Sequence, residues 1–338
     1  MPVSGANTQV FLARRPDHMP GDDVFGFRQI AVPAIRPGEV LVEAVYVSLD
    51  PYMRGAMNGS FVVGEAMSGG VVGRIADGGN SGLRQGAWVQ ASLPWQSFSA
   101  VAADQVRLLD ADDAPVSTAL GVLGMPGLTA WTGLHNVAGI EPGESVFVSA
   151  ATGAVGSVAG QIARLHGCRV IGCAGSDEKC AWARDVLGYD GMINHRSASD
   201  LATAIAALAP DGVDVDFENV GGPVMQAVIA NMNTHGRIAL CGMISQYNRL
   251  GAEAGPNNLF RLIYGRIRMQ GFIVSDYAEE AEPFRRQVGA WVRAGKLHYR
   301  EDIAEGWTAL PQAFRSLLSG DNFGKVLVQV SDDPSRRT

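Results

Sequence analysis

Residues 146–160, Val-Phe-Val-Ser-Ala-Ala-Thr-Gly-Ala-Val-Gly-Ser-Val-Ala-Gly, constrain the fold more than any other stretch of the chain. Val146, Phe147 and Val148 form a short apolar run of the kind that a buried parallel strand needs. Ala151-Thr152-Gly153-Ala154-Val155-Gly156 follows at once, and behind it Val158, Ile162 and Leu165 recur at helical spacing. Strand, glycine turn and helix in immediate succession are the context in which an A-x-G-x-x-G sequence acts as a dinucleotide fingerprint. Gly153 lets the backbone approach a pyrophosphate, and Gly156 lets the helix close on the strand. The exposed N–H groups of the first helical turn then meet the negative charge. Ala151 stands where the first glycine is usual, which predicts a slightly wider turn.

The same rhythm continues on both sides. Residues 124–133 introduce a helix over 129–137, and Pro142-Gly143 leads into the first strand. After the fingerprint helix come strand 169–173, helix 177–187, strand 192–193, helix 199–209, strand 213–217, helix 224–232 and strand 237–241. Residues 259–264 and 269–274 complete a doubly wound parallel sheet of six strands. Residues 280–294 form an amphipathic helix, with Phe284, Val288, Trp291 and Val292 on one face.

Ahead of this α/β region, residues 1 to about 122 are mostly β. Residues 39–48 alternate like a strand; 69–75 and 87–91 are shorter runs bounded by glycine. A small, irregular barrel-like domain is expected there. The turn Asp50-Pro51-Tyr52-Met53-Arg54 has two readings. It is a rigid structural corner in which Arg54 pairs with Asp50, or a polar-aromatic element of a site. Beyond Gly295 a helix (311–318) and a last strand (325–330) return to the first domain, and the tail from Ser331 is polar and expected to fray. A chain of 338 residues exceeds what one core usually supports. The expected division is 1–123 with 296–338 as one discontinuous domain, and 124–295 inserted as the other.

A net charge of −7 argues against a nucleic-acid or anionic-membrane partner. No run approaches the roughly 18 apolar residues of a membrane span. The first sixteen residues lack the apolar centre of a signal peptide, so a cytoplasmic location is expected. Cys168, Cys173, Cys180 and Cys241 show no C-x-x-C spacing and are expected to be free buried thiols rather than zinc ligands.

The second strand of the sheet ends in Cys173-Ala-Gly175-Ser176, small and uncharged, where an NAD-binding fold wants an acid for the ribose hydroxyls. Ser176 is followed by Lys179, and Arg196 lies after the third strand. A hydroxyl and two cations suit a 2′-phosphate, and hence NADP(H). The alternative has Ser176 capping the helix, Lys179 on a solvated face and Asp177 on the ribose.

Several motifs in order now point one way: Asp50-Pro-Tyr-Met-Arg54, Gly124-Met-Pro-Gly-Leu-Thr-Ala-Trp131, Ala150-Ala-Thr-Gly-Ala-Val-Gly-Ser157, Ala174-Gly-Ser-Asp-Glu-Lys179, Phe217-Glu-Asn-Val-Gly-Gly222, Cys241-Gly-Met-Ile-Ser-Gln-Tyr-Asn248 and Asn322-Phe-Gly-Lys325. From end to end the chain resembles the zinc-independent medium-chain dehydrogenase/reductases, in the prostaglandin reductase and alkenal double-bond reductase branch. Curcumin and other enone reductases belong to the same branch. The resemblance implies a GroES-like β-barrel catalytic domain beside a Rossmann domain. It also implies NADPH-dependent hydride delivery to the β-carbon of an α,β-unsaturated ketone or aldehyde.

By the same resemblance, Ser176 and Lys179 hold the 2′-phosphate beside Gly175. His195, next to Arg196, stands where the family has a tyrosine. Thr152, Gly153, Ala154, Val155 and Gly156 form the pyrophosphate turn. Asn219, Gly242, Ser245 and Tyr247 line the cofactor groove, Met125 and Thr129 lie near the nicotinamide, and Asn322 contributes from the returning first domain.

Zinc-dependent relatives carry a cysteine where this chain reads Val47-Ser48-Leu49-Asp50, and a Gly-His-Glu motif where it reads Gly64-Glu65-Ala66. No metal is expected. Without a Lewis acid, conjugate reduction suits the site better than oxidation of an alcohol. The developing enolate needs a proton donor: Tyr247 first, Tyr52 second, Tyr264 third, with a cofactor ribose hydroxyl or water able to share the role. The rival functions are an NADPH quinone reductase and a non-catalytic NADPH-binding protein. A homodimer through an edge strand at 269–274 is expected by the same analogy.

Overall fold

The computed structural model describes residues 6–248, 251 and 255–336. Outside them lie residues 1–5 of the leading segment, 249–250 and 252–254 of the 243–265 loop, and 337–338 of the tail. The chain divides into two units: residues up to 121 with 301–322 and 326 onward, and residues 122–300 with 323–325.

In the first unit, β1 (Asn7–Leu12) and β2 (Phe25–Ile30) form an antiparallel pair. The main sheet begins with β3 (Glu39–Ser48), whose alternation was plain in the sequence. The turn after it becomes the short helix α1 (Tyr52–Asn58). β4 (Ser68–Asp77), β5 (Trp88–Pro94), β6 (Phe98–Ala102) and β7 (Arg107–Leu108) follow, all antiparallel to their neighbours. The β3–β4 register slips between Ala44 and Tyr46, a bulge that bends the sheet. Gly73 is required beside it, because a Cβ there would lie 2.2 Å from the Glu43 carbonyl oxygen.

The second unit opens with α2 (Met125–Thr132). The helix expected over 129–137 starts earlier, at the Gly124 cap with Pro126 in its first turn, and widens into a π turn over 133–138. Gly133 packs there against Phe217 and Phe272. The alternation is then regular: β8 (Ser145–Val148), α3 (Gly156–Leu165), β9 (Arg169–Ala174), α4 (Asp177–Asp185), β10 (Gly191–Asn194), α5 (Leu201–Leu208), β11 (Val213–Glu218), α6 (Gly222–Asn231), β12 (Met232–Leu240), α7 (Phe260–Gly265), β13 (Arg268–Gly271) and α8 (Ala281–Arg293).

The six strands run in the order β10-β9-β8-β11-β12-β13 with every pairing parallel, as expected of a doubly wound sheet. One apolar layer gathers Val148, Ile162, Val215, Phe217 and Phe284; the other gathers Phe147, Ile171, Val228 and Ile238. β12 starts five residues before the expected strand, because Met232 already pairs with Val213 across an irregular step. β13 ends at Gly271, short of the expected 274.

The return adds β14 (Glu301–Glu305), α9 (Leu310–Ser319) and β15 (Lys325–Gln329). The first unit's sheet thereby runs β14-β15-β3-β4-β5-β7, with β6 branching from β3. No ring of pairings closes it among the described residues. The tail does not fray at Ser331: the Ser331 hydroxyl donates to the Ala44 carbonyl, and Tyr46 donates to Asp333 at 2.9 Å.

Candidate active site

Most of the expected site residues of the second unit lie at the carboxyl ends of its strands, where open α/β sheets take their ligands; Met125, Thr129 and Tyr264 lie on α2 and α7 instead. In the turn after β8 the left-handed residue is Ala150, at φ 49°, and Ala151 is wholly buried with its N–H on the Cys173 carbonyl. Gly156 is fixed by contact, since a Cβ would lie 2.3 Å from the Ala150 carbonyl oxygen. Thr152 is buried, and Val155 precedes the first residue of α3. Tyr189 donates to the Gly156 carbonyl at 2.8 Å and pins the start of that helix. Gly153 bridges to Gly324, so the returning Phe323–Lys325 segment lies along the glycine turn.

A second group gathers where β9 and β10 end. Ser176 caps α4, its Oγ accepting the Lys179 N–H at 3.3 Å. A Cβ on Gly175 would lie 3.2 Å from Arg196 Nε and 3.6 Å from His195 Cε1, so both side chains close over this glycine. Burial, Arg196 and Lys179 hold the His195 imidazole below its ordinary range. Asp177, the alternative ribose contact, accepts from Asn194 Nδ2 at 2.8 Å. Phe323 stacks under the Arg300 guanidinium at 3.9 Å, with Lys179 Nζ 5.9 Å from the same ring. Beside this corner, His195, Asp200, Leu201, Pro223 and Gln226 border a groove of about 470 Å³.

A third group folds the turn after β12 onto the turn after β11. Asn219 donates through its backbone to Ser149 Oγ at 2.7 Å and through Nδ2 to the Ser149 carbonyl at 2.8 Å. Ser245 Oγ donates to the Val220 carbonyl at 2.6 Å. Tyr247 reaches back over Gly242, where a Cβ would sit 3.2 Å from the phenol oxygen. That oxygen accepts the Met243 N–H at 3.3 Å, so the phenol hydrogen can be donated elsewhere. Met125 starts α2, and the buried Thr129 donates to its carbonyl at 2.8 Å. Tyr264, the third candidate donor, lies exposed on α7.

Tyr52 and Asn322 belong to the first unit. Tyr52 keeps 52 % of its surface open, and desolvation of the remainder together with Asp50 pushes its phenol up to about 12. Arg54 is buried and donates to the carbonyls of Pro16 and His18, while the Ser48 hydroxyl donates to Asp50. The turn is thus a structural corner that presents one tyrosine. Asn322 is buried just past α9. Among the described residues, no cluster of three or more His, Cys, Asp or Glu side chains is arranged to hold a metal ion.

Sequence reasoning assigned no role to Ser149, Tyr189, Glu218, Arg300 and Phe323. Glu218 and Phe323 lie inside quoted motifs whose other residues drew the attention, and Ser149, Tyr189 and Arg300 lie outside them. The acids of β11 were the one visible signal, since a central strand should not carry them.

Family models match most of the chain. A model described as the N-terminal domain of oxidoreductase matches residues 8–109, and one described as zinc-binding dehydrogenase matches 154–288. The chain belongs to the medium-chain dehydrogenase/reductases, in the branch of the prostaglandin and 2-alkenal reductases. It is 42 % identical to the NADPH-dependent curcumin reductase of Escherichia coli K12, over 97 % of this chain and 98 % of that one. It is 40 % identical to the NADP(+)-dependent 2-alkenal reductase of Nicotiana tabacum, over 96 % and 98 %. The crystal structure of CurA from Vibrio vulnificus in complex with NADPH superposes with a TM-score of 0.90 at 41 % identity, covering 96 % of this chain and all of that one.

Proposed function

We propose that this chain is an NADPH-dependent reductase of the C=C bond of α,β-unsaturated ketones and aldehydes. End-to-end likeness to a curcumin reductase and a 2-alkenal reductase carries the reading. The phosphate corner supports the choice of cofactor. Ser176, Lys179, His195 and Arg196 offer a hydroxyl and positive charge around a bare glycine, the donor set that an acceptor-only phosphomonoester needs. The turns 152–156 and 219–222 would hold the remainder of the molecule. When bound, NADPH supplies hydride for the substrate β-carbon.

The chain's own task is then to stabilise charge that develops on the substrate oxygen. Tyr247 suits it, because the Met243 N–H occupies an acceptor position of the phenol and leaves its hydrogen available. Tyr52, held protonated through neutral pH, is the second donor. In this reading the second unit binds the cofactor, and no metal takes part. A homodimer fits as well: β13 is an edge strand, and Phe260, Ile263, Tyr264 and Ile273 beside it are exposed.

The test is NADPH consumption across a panel of enones, enals, quinones and saturated ketones, with NADP⁺ reduction followed separately for alcohols and all products identified by mass. Enones and enals should be reduced at the C=C bond and saturated ketones ignored. Oxidation of alcohols with no turnover of activated alkenes would overturn the reading. Tyr247→Phe should lower kcat about tenfold, or ~1.4 kcal/mol of barrier, and an unchanged kcat removes Tyr247 from the mechanism.

A further inference from the structure

Strand β11 reads Val213-Asp-Val-Asp-Phe-Glu218, an alternation suited to a sheet with one wet face. Yet β11 lies between β8 and β12, and Asp216 and Glu218 are both fully buried. In register, Asp216 sits between Phe147 of β8 and Ile238 of β12, two members of an apolar layer that also holds Val224 and Val228 of α6. Neither Asp216 oxygen has a hydrogen-bond partner, and neither has Glu218 Oε2. Two residues apart on one face of the strand, the carboxyls come within hydrogen-bonding reach of each other.

The other oxygen of Glu218 is crowded with donors. Oε1 accepts from Ser149 Oγ at 2.9 Å, the Val220 N–H at 2.5 Å and the Gly221 N–H at 2.9 Å. Ser149 in turn accepts the Asn219 N–H. One carboxylate oxygen therefore gathers the turns after β8 and β11. Two adjacent carboxylates in an apolar layer cannot both ionise. A single proton between them pairs Glu218 Oε2 with one Asp216 oxygen, and it belongs on the acid without donors. Burial raises both groups, Asp216 furthest because the charge of Glu218 adds to it, whereas its donors pull Glu218 back down. The thiols that share this environment, Cys173 of β9 and Cys241 after β12, are pushed up by burial and stay neutral.

We propose that Asp216 is a positioning residue for the cofactor turns: protonated at neutral pH, it donates to Glu218 Oε2 and holds the carboxylate that gathers Ser149, Val220 and Gly221 around Asn219. The proposal rests on reading those turns as part of the cofactor groove, and its two measurements separate the proton from that reading.

The first is infrared spectroscopy of the ligand-free protein with ¹³C-labelled aspartate side chains. A protonated-acid carbonyl stretch should be present at neutral pH and absent from Asp216→Asn; no such band in the unaltered protein overturns the proposal. The second is NADPH titration. Asp216→Asn keeps a donor for Oε2 and should bind within about threefold of the unaltered chain. Asp216→Val leaves Oε2 without one and should bind about tenfold more weakly, with an unchanged circular-dichroism spectrum. Equal affinity in the valine variant, or an equal loss in both, overturns the positioning role. A protonated band in a chain that binds no NADPH overturns that role through the cofactor reading, while leaving the shared proton in place.

Discussion

Lys179 and His195 carry the clearest consequences at the scale of single residues. In Lys179→Ala the Ser176 cap on α4 survives, because it uses the backbone N–H of residue 179 rather than the side chain. The loss should fall on the charge alone: NADPH binding weakens about tenfold or more while NADH binding hardly changes, given ~1.5–3 kcal/mol for a charge-assisted hydrogen bond. Fluorescence titration with both cofactors checks this, and equal losses count against it. His195 adds a pH signature. Burial, Arg196 and Lys179 disfavour its imidazolium in the free protein, whereas a phosphate dianion beside it would favour one. Binding then takes up a proton, so NADPH affinity should rise as pH falls from about 8 to about 6.5, around the ordinary histidine value. NADH should show no such slope, and His195→Phe should abolish it. Lys179 and Arg196 were legible in the sequence because charge at a strand end needs a reason. Ser149 and Tyr189 were not, because a serine or a tyrosine next to an apolar run reads equally well as packing.

Among whole elements, the glycine turn was legible and its mechanics were not. Ala151 suggested a wider turn, but the left-handed conformation falls one residue earlier, on Ala150, and Ala151 simply packs. β3 and the parallel strands were readable from their apolar patterns. β1, β2, β6, β7 and β14 were not, since short segments such as Phe-Gly-Phe-Arg-Gln-Ile become strands only through partners distant in sequence. β11 misleads in a more useful way: its alternation promises a solvated face, and the buried acids show where local pattern and tertiary position conflict. The edge formed by β13 and α7 yields a prediction at this scale. Light scattering should give twice the 35.7 kDa protomer mass, and Ile263→Glu, at a side chain 75 % exposed in the protomer, should shift the protein to monomer. A monomeric unaltered chain would remove the dimer from the reading.

For the molecule as a whole, length made more than one core the first expectation, and the apolar run near the carboxyl end hinted that the chain returns to where it began. The return itself has a consequence in time. β3 leaves the ribosome well before its neighbour β15, which pairs Leu327 with Ser48. The three residues that lie along the Gly153 turn arrive together with β15. A nascent polypeptide stalled after residue 300 therefore holds an unmatched sheet margin at β3, which is a natural target for holdase chaperones and a point where aggregation competes with completion.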